Sequence, residues 1–67
     1  MTRLHIVTSK AALWPDKAQS PYAILPLGDF LVITNREKDD FVVVVSVTHG
    51  KGWMTKWAIF NHTKEVL

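Results

Sequence analysis

The valine-rich segment 41–47, with the sequence FVVVVSV, is the feature that most constrains the fold of this chain. Valine is β-branched and loses little side-chain freedom in an extended backbone, so the segment predicts a strand. A turn centred on Gly50 and a second extended segment from Gly52 follow it, which indicates a β-hairpin. Successive side chains of a strand point to opposite faces. One face would carry Phe41, Val43, Val45 and Val47, and the inward face Val42, Val44 and Ser46.

The remaining segments predict one small all-β domain spanning residues 1–67. Residues 35–40 form a short charged connection, which suits antiparallel neighbours because a parallel crossover needs about a dozen residues or more. We therefore predict a small bent barrel of about five antiparallel strands, with one short helical turn before the last strand. Four strands are expected near residues 3–8, 29–35, 40–48 and 51–55, the helical turn near 56–60, and the last strand at the C-terminal end of the sequence, paired with the first.

Composition limits the kind of protein that the chain can be. It contains no cysteine, which rules out a disulfide framework and a thiolate metal site. No apolar stretch approaches the ~20 residues of a membrane span, and the N-terminal segment lacks a signal-peptide run. We therefore expect a cytoplasmic protein without a membrane partner. Eight Lys and Arg against six Asp and Glu leave a net charge of +2, with no basic cluster in the sequence.

No group of residues specifies a reaction, so the sequence predicts neither an enzyme nor a cofactor. The three histidines, His5, His49 and His62, lack metal-ligand spacing and are expected at the surface. Asp29 follows Gly28 and is interpreted as a turn residue that accepts backbone N–H bonds. We predict no catalytic residue and no metal site.

An ordered series of short motifs resembles the SH3 domain and the bacterial SH3-like small barrels over residues 4–67. These motifs are Ala12-Leu13-Trp14-Pro15-Asp16, Leu27-Gly28-Asp29-Phe30-Leu31, Phe41-Val42, and Gly52-Trp53-Met54 with a short turn ending at Ile59. SH3 domains bind proline-rich peptides in a groove walled by aromatic rings, and acidic loop residues pair with the ligand's Arg or Lys. The resemblance implies a similar groove, in which Trp14 takes the place of the first tyrosine and Phe41 that of the groove tryptophan.

Three of the five groove positions depart from that pattern. Asp16 replaces the second tyrosine, Thr55 the proline and Ala58 the late tyrosine. The loop 17–20 has no carboxylate where the family usually carries acids. Ordinary PxxP peptides are therefore not expected to bind.

The leading hypothesis is a non-enzymatic protein-interaction module, or a small accessory or assembly factor of the kind that phages encode. It would bind a protein partner, or a second copy in a homo-oligomer, through an apolar sheet face or through the altered groove. A single small barrel buries one strand face well, so the other face of the valine strand is expected to be exposed. The candidate partner-binding residues are Trp14, Phe41, Val43, Val45, Trp53 and Trp57.

The alternative hypothesis is a nucleic-acid-binding small barrel. Such barrels place aromatic side chains and Lys or Arg against a strand or groove of nucleic acid. Trp53, Trp57, Lys51 and Lys56 are close in sequence and would form that site. The modest net charge and the two acidic clusters count against it. A cell-wall-binding role, common for bacterial SH3-like modules, ranks third.

Overall fold

A computed structural model describes residues 3–15 and 22–66 of the chain. Seven strands and one helix follow each other along it. Six strands have three to six residues, but the strand Phe30–Lys38 has nine, so the predicted connection at 35–40 is wrong for residues 35–38, which continue the strand. The elements are β1 (Arg3–Val7), β2 (Ala11–Leu13), β3 (Ala23–Leu25), β4 (Phe30–Lys38), β5 (Phe41–Ser46), β6 (Gly50–Thr55), α1 (Lys56–His62) and β7 (Thr63–Glu65).

Five strands form one antiparallel sheet in the order β6-β5-β4-β1-β7, and β2 and β3 form a separate hairpin. This confirms the all-β class, the five antiparallel strands and the short helix before the last strand. The edge strands β6 and β7 do not pair with each other within the described residues, so the barrel is not closed.

The valine strand β5 lies in the centre of the β4–β5–β6 part of the sheet and supplies the core from its inward face. Val42, Val44 and Ser46 are buried, as the alternation predicts, and Val44 is completely inaccessible to solvent. The apolar core is completed by residues from the other strands and from the helix. It comprises Val7, Ala11, Leu13, Leu25, Leu31, Ile33, Val42, Val44, Met54, Ala58 and Ile59.

The expectation that Val43 is exposed on the outward face is wrong, because only 3% of its surface is accessible. Its cross-strand partner is Trp53 on β6. On the other side, the pairing of β4 with β5 shifts register between Ile33 and Glu37, and the irregular residues of β4 lie beside Val43. The Thr34 hydroxyl donates a hydrogen bond of 2.7 Å to the Val43 carbonyl oxygen. This bulge and the Trp53 side chain border Val43, whereas Val45 on the same face remains 40% exposed.

Two turns at one end of the sheet are joined through the buried carboxylate of Asp29. The Asp29 side chain accepts a hydrogen bond from the Phe30 backbone N–H at 3.0 Å, which confirms its turn role. It also accepts hydroxyl hydrogen bonds from Ser46 at 2.6 Å and from Thr48 at 2.9 Å. Ser46 Oγ in turn accepts the backbone N–H groups of Thr48 and His49. This network holds the turn before β4 against the β5–β6 hairpin.

The helix α1 begins where the Thr55 hydroxyl accepts the Ala58 backbone N–H at 3.1 Å, as an N-cap residue does. Ala58 and Ile59 face the core, while Trp57 and Phe60 are exposed. The helix has seven residues, in agreement with the short turn predicted from the sequence. Across the described part of the chain, no helix has the length and apolar character needed to cross a membrane.

The prediction that all three histidines lie at the surface is wrong for His5, which is buried between β4 and β7. The Thr63 hydroxyl donates its proton to the Ile59 carbonyl oxygen, so it can only accept from His5 Nδ1 at 2.9 Å. His5 Nδ1 therefore carries the proton. Burial lowers the pKa of His5, with Arg3 adding to the effect and Glu65 opposing it.

Candidate functional site

The end of β2 adds to the edge of β6 and thereby places Trp14 beside Trp53. The Trp14 N–H donates to the Trp53 carbonyl oxygen at 2.9 Å, and the Trp53 N–H donates to the Trp14 carbonyl oxygen at 2.7 Å. Gly52 makes this close approach feasible, because a Cβ there would lie 2.9 Å from the Trp14 carbonyl oxygen. The position of Trp14 is thus fixed by backbone hydrogen bonds and by the absence of a side chain at residue 52.

Aromatic rings gather around Trp14. Its ring centre lies 5.8 Å from that of Phe41 in an edge-to-face arrangement, and 5.5 Å from that of Tyr22 in a tilted one. Both arrangements are favoured by the ring quadrupoles. Trp14, Phe41 and Trp53 are half-buried, while Tyr22 is exposed. We call Trp14, Tyr22, Phe41 and Trp53 the aromatic face.

A narrow cavity of about 190 Å³ lies between β2 and α1 and borders Trp14 on one side and Trp57 on the other. We call it the slot. Trp57 is 66% exposed, and its ring centre lies 5.0 Å from that of His62. Small side chains allow the two tryptophans to flank an open space. The slot is lined by Lys10, Ala11, Ala12, Trp14, Thr55, Trp57, Ala58 and His62.

A second cavity of about 460 Å³ lies at the opposite side of the aromatic face, next to Trp53. We call it the Trp53 cavity. Two exposed cationic side chains, Arg36 from the β4 bulge and Lys51 from β6, contribute to its wall. The remaining lining residues are Pro15, Val43, Gly52 and Trp53.

The two lysines of the nucleic-acid alternative lie in different surroundings. The Lys56 ammonium forms an ion pair with the Glu37 carboxylate at 2.6 Å, and that hydrogen bond raises the pKa of Lys56. Lys51 has no ion pair within the described residues and lies at the Trp53 cavity. The structure therefore does not bring Lys51 and Lys56 into one basic site.

An apolar patch covers the outward side of β4 and β5 and adjoins Lys51, the cross-strand partner of Val45. Val45 pairs with Val32, and the Val47 N–H donates to the Phe30 carbonyl oxygen at 3.0 Å, so the four side chains are neighbours. All four are exposed. We call Phe30, Val32, Val45 and Val47 the outer sheet patch. It retains Val45 and Val47 from the predicted apolar stripe, while Phe30 and Val32 of β4 take the place of the buried Val43.

The largest of these three cavities, with a volume of about 640 Å³, is a gap bordered by residues of β1, β4, β5, α1 and β7. Its rim carries charges of both signs, from Arg3 and Lys56 and from Glu37 and Glu65. His5 also lines it, but His5 Nε2 is itself buried and has no hydrogen-bond partner among the described residues. The mixed rim gives this gap no clear preference for a charged ligand.

Most of the predicted site residues come together, with two exceptions. Trp14, Phe41 and Trp53 share one face, and Trp57 lies across the slot from Trp14. Val43 is buried and Val45 belongs to the separate outer sheet patch. Thr55 and Ala58, which depart from the SH3 pattern, line the slot, whereas Asp16 and the loop 17–20 lie outside the described residues.

The sequence analysis missed Tyr22 and Arg36 as members of the site. In the β2–β3 hairpin Leu13 pairs with Ala23, which places Tyr22 next to Trp14. A hairpin pairing between these two apolar segments was the signal that would have identified Tyr22. Arg36 reaches the Trp53 cavity only because β4 bulges, and no sequence signal indicates that irregularity.

None of the family models, curated proteins or solved structures compared with this chain matches it. The functional interpretation therefore depends on the geometry of the chain's own surfaces.

Proposed function

We propose that this protein is a non-enzymatic protein-interaction module that binds an extended peptide segment of a partner across the aromatic face and the slot. A module of this size suits a small accessory or assembly factor in the cytoplasm. The five-stranded antiparallel sheet with one short helix before its last strand supports the resemblance to SH3-like barrels. The departures at Asp16, Thr55 and Ala58 indicate a ligand other than an ordinary PxxP peptide.

The observation that carries the proposal is the edge-to-face contact between the rings of Trp14 and Phe41, with Trp14 also lining the open slot. Large aromatic side chains dominate the energetics of protein interfaces, and an exposed ring beside a cavity offers a partner side chain both apolar area and a defined shape. Trp57 supplies such a ring on the far side of the slot. With Val43 buried, the aromatic face is the better candidate than the predicted valine stripe.

The test is a selection of random dodecapeptides on the immobilised wild-type protein, with Trp57→Ala as the counter-screen. Trp57 is mostly exposed, so its truncation should leave the circular dichroism spectrum of the sheet unchanged. We expect the selected peptides to bind wild type at least tenfold more tightly than Trp57→Ala, since a hot-spot aromatic is worth about 2 kcal/mol or more. A selection that yields no binder, or binders that do not distinguish the two proteins, would contradict the proposal.

Self-association through the outer sheet patch is a second candidate, favoured by the exposure of Phe30, Val32, Val45 and Val47 on adjacent strands. The patch offers roughly a few hundred Å² of apolar area, which is within the range of monomeric proteins. A stable dimer buries about 800 Å² on each partner, so the patch alone supports only weak association. Light scattering of wild type and Val45→Lys tests it: association should be lost in the variant, and a wild type that remains monomeric at high concentration rules it out.

Nucleic-acid binding remains the alternative proposal and is weaker. Its supporting observation is the pair of cations, Arg36 and Lys51, beside Trp53. Phosphate contacts dominate such binding, and the pairing of Lys56 with Glu37 removes one of the cations on which the hypothesis depended. The experiment below includes an oligonucleotide that separates this alternative from a peptide ligand.

A further inference from the structure

The charged side chains that line the two cavities beside the aromatic face have one sign, whereas the exposed Asp39 and Asp40 precede Phe41 and line neither cavity. At the slot end, the cation that lines the cavity is Lys10, which is exposed. At the other end, Arg36 and Lys51 line the Trp53 cavity, and both are exposed. Neither cavity has an aspartate or a glutamate among its described lining residues.

These cations also have few competing partners. Lys10, Arg36 and Lys51 form no ion pair with any of the described residues. The ion pair found in this part of the chain joins Lys56 to Glu37. The carboxylates of Glu37 and Glu65 line the gap of about 640 Å³ beside α1 instead. A ligand that brings carboxylates to either end of the aromatic face would therefore meet cations that are not already neutralised within the described part of the chain.

We infer that the partner segment is acidic: an extended peptide whose apolar side chain enters the slot and whose carboxylates lie against Lys10 at one end and against Arg36 and Lys51 at the other. This inference rests on the proposed peptide-binding function and specifies the charge of its ligand. The ligand charge inferred here is opposite to the one that the resemblance to SH3 domains implies, because acidic loop residues of SH3 domains pair with basic residues of the ligand.

An acidic peptide fits the described surface better than a nucleic acid. Nucleic-acid bases stack on the exposed faces of aromatic rings. Trp14 and Phe41 are half-buried and in contact with each other, so their rings are poorly placed for base stacking. The slot, at about 190 Å³, admits one side chain, and Trp57 is the exposed tryptophan at its border. The three cations are divided between two ends of the face, whereas a backbone-binding groove presents a continuous row of positive charge.

The experiment uses the dodecapeptides selected on wild type, synthesised with a fluorescent label, and three charge reversals made one at a time. Lys10→Glu and Lys51→Glu change the two ends of the aromatic face. Lys64→Glu is the matched control, because Lys64 is an exposed β7 residue that lines none of the three cavities. Affinity is measured by fluorescence anisotropy at low and at moderate salt, with a labelled 12-nucleotide oligo-dT as the competing probe.

We expect the selected peptides to carry a net negative charge with carboxylates flanking an apolar residue. Lys10→Glu and Lys51→Glu should each weaken binding about fivefold or more, with a smaller effect at moderate salt, and Lys64→Glu should weaken it less than twofold. Neutral or basic selected peptides, or equal losses in all three variants, would overturn the inference while the proposed function stands. Tighter binding of oligo-dT than of any peptide would also overturn it, in favour of nucleic acid. If no peptide distinguishes wild type from Trp57→Ala, the proposed function fails and the inference with it.

Discussion

The substitution Gly52→Ala tests how β2 is held against the edge of β6. A Cβ at residue 52 would lie 2.8 Å from Leu13 Cγ and 2.9 Å from the Trp14 carbonyl oxygen. Both distances are below those of real Cβ contacts, and Trp14 contributes a backbone atom that no rotamer change can move away. The chain must therefore shift at β2, and overpacking of this kind typically costs about 1–3 kcal/mol.

For a domain of this size a loss of about 2 kcal/mol lowers the melting temperature by roughly 10 °C. Urea denaturation followed by tryptophan fluorescence gives the free energy of unfolding directly. Because Trp14 must move, we also expect Gly52→Ala to weaken binding of the selected peptides.

Gly50→Ala is the matched control for this prediction. Gly50 has φ of +80° and open space around it, so alanine there costs about 1–2 kcal/mol through backbone strain and leaves β2 in place. This variant should lose stability but keep peptide affinity. A Gly52→Ala protein as stable as wild type within about 0.5 kcal/mol would refute the close approach of β2 to β6.

Three further predictions concern the core, the buried turn network and the buried histidine. Val44→Ala should lower the free energy of unfolding, measured by urea denaturation, by about 1–3 kcal/mol, because it removes buried area and leaves a cavity. Its control, Lys38→Ala, should change that free energy by less than about 0.5 kcal/mol. Equal effects of the two substitutions would contradict the assigned core face. Ser46→Ala should cost about 1.5–3 kcal/mol, because it removes the 2.6 Å hydrogen bond to the buried Asp29 carboxylate, and a loss below about 0.5 kcal/mol would show that this bond is dispensable. Burial lowers the pKa of His5 in the folded protein below its ordinary value of 6.5. As the pH falls, His5 of the unfolded chain therefore binds a proton before His5 of the folded chain does, and protonation favours unfolding. The free energy of unfolding should keep its full contribution from neutral His5 above about pH 6.5 and lose it as the pH falls towards the folded-state pKa. His5→Asn should flatten that part of the stability–pH curve measured by urea denaturation, and an unchanged curve would assign the acid sensitivity to other groups.

The strands of the five-stranded sheet could be predicted from the sequence because their signals are local, whereas the separate β2–β3 hairpin was not predicted. The alternation in residues 41–47 correctly gives Val42, Val44 and Ser46 as the buried face, and the helical turn predicted near 56–60 coincides with the first five residues of α1. The exposure of the opposite face could not be predicted in the same way. It depends on which neighbouring strand covers each residue, and the β4 bulge places part of its chain beside Val43 but leaves Val45 accessible.

The candidate site was predictable in its aromatic members and not in its charged ones. Trp14 and Phe41 were paired by the resemblance to SH3 domains, and the structure brings their rings together. Arg36 and Lys10 lie far from each other in sequence and border the site through a bulge and through the docking of β2 beside α1. Composition could not reveal this arrangement, since a net charge of +2 says nothing about where the cations lie.

The most direct test of the account is to locate the bound peptide on the protein by two-dimensional ¹H–¹⁵N NMR, titrating wild type with the tightest of the selected dodecapeptides. The three tryptophans give separate indole N–H signals that report on the aromatic face and the slot. We predict that the indole signals of Trp14 and Trp57 and the backbone amides around Lys51 shift most, while the amides of Phe30 and Val32 do not. Largest shifts at Phe30 and Val32, with the indole signals unmoved, would contradict the account and assign binding to the outer sheet patch.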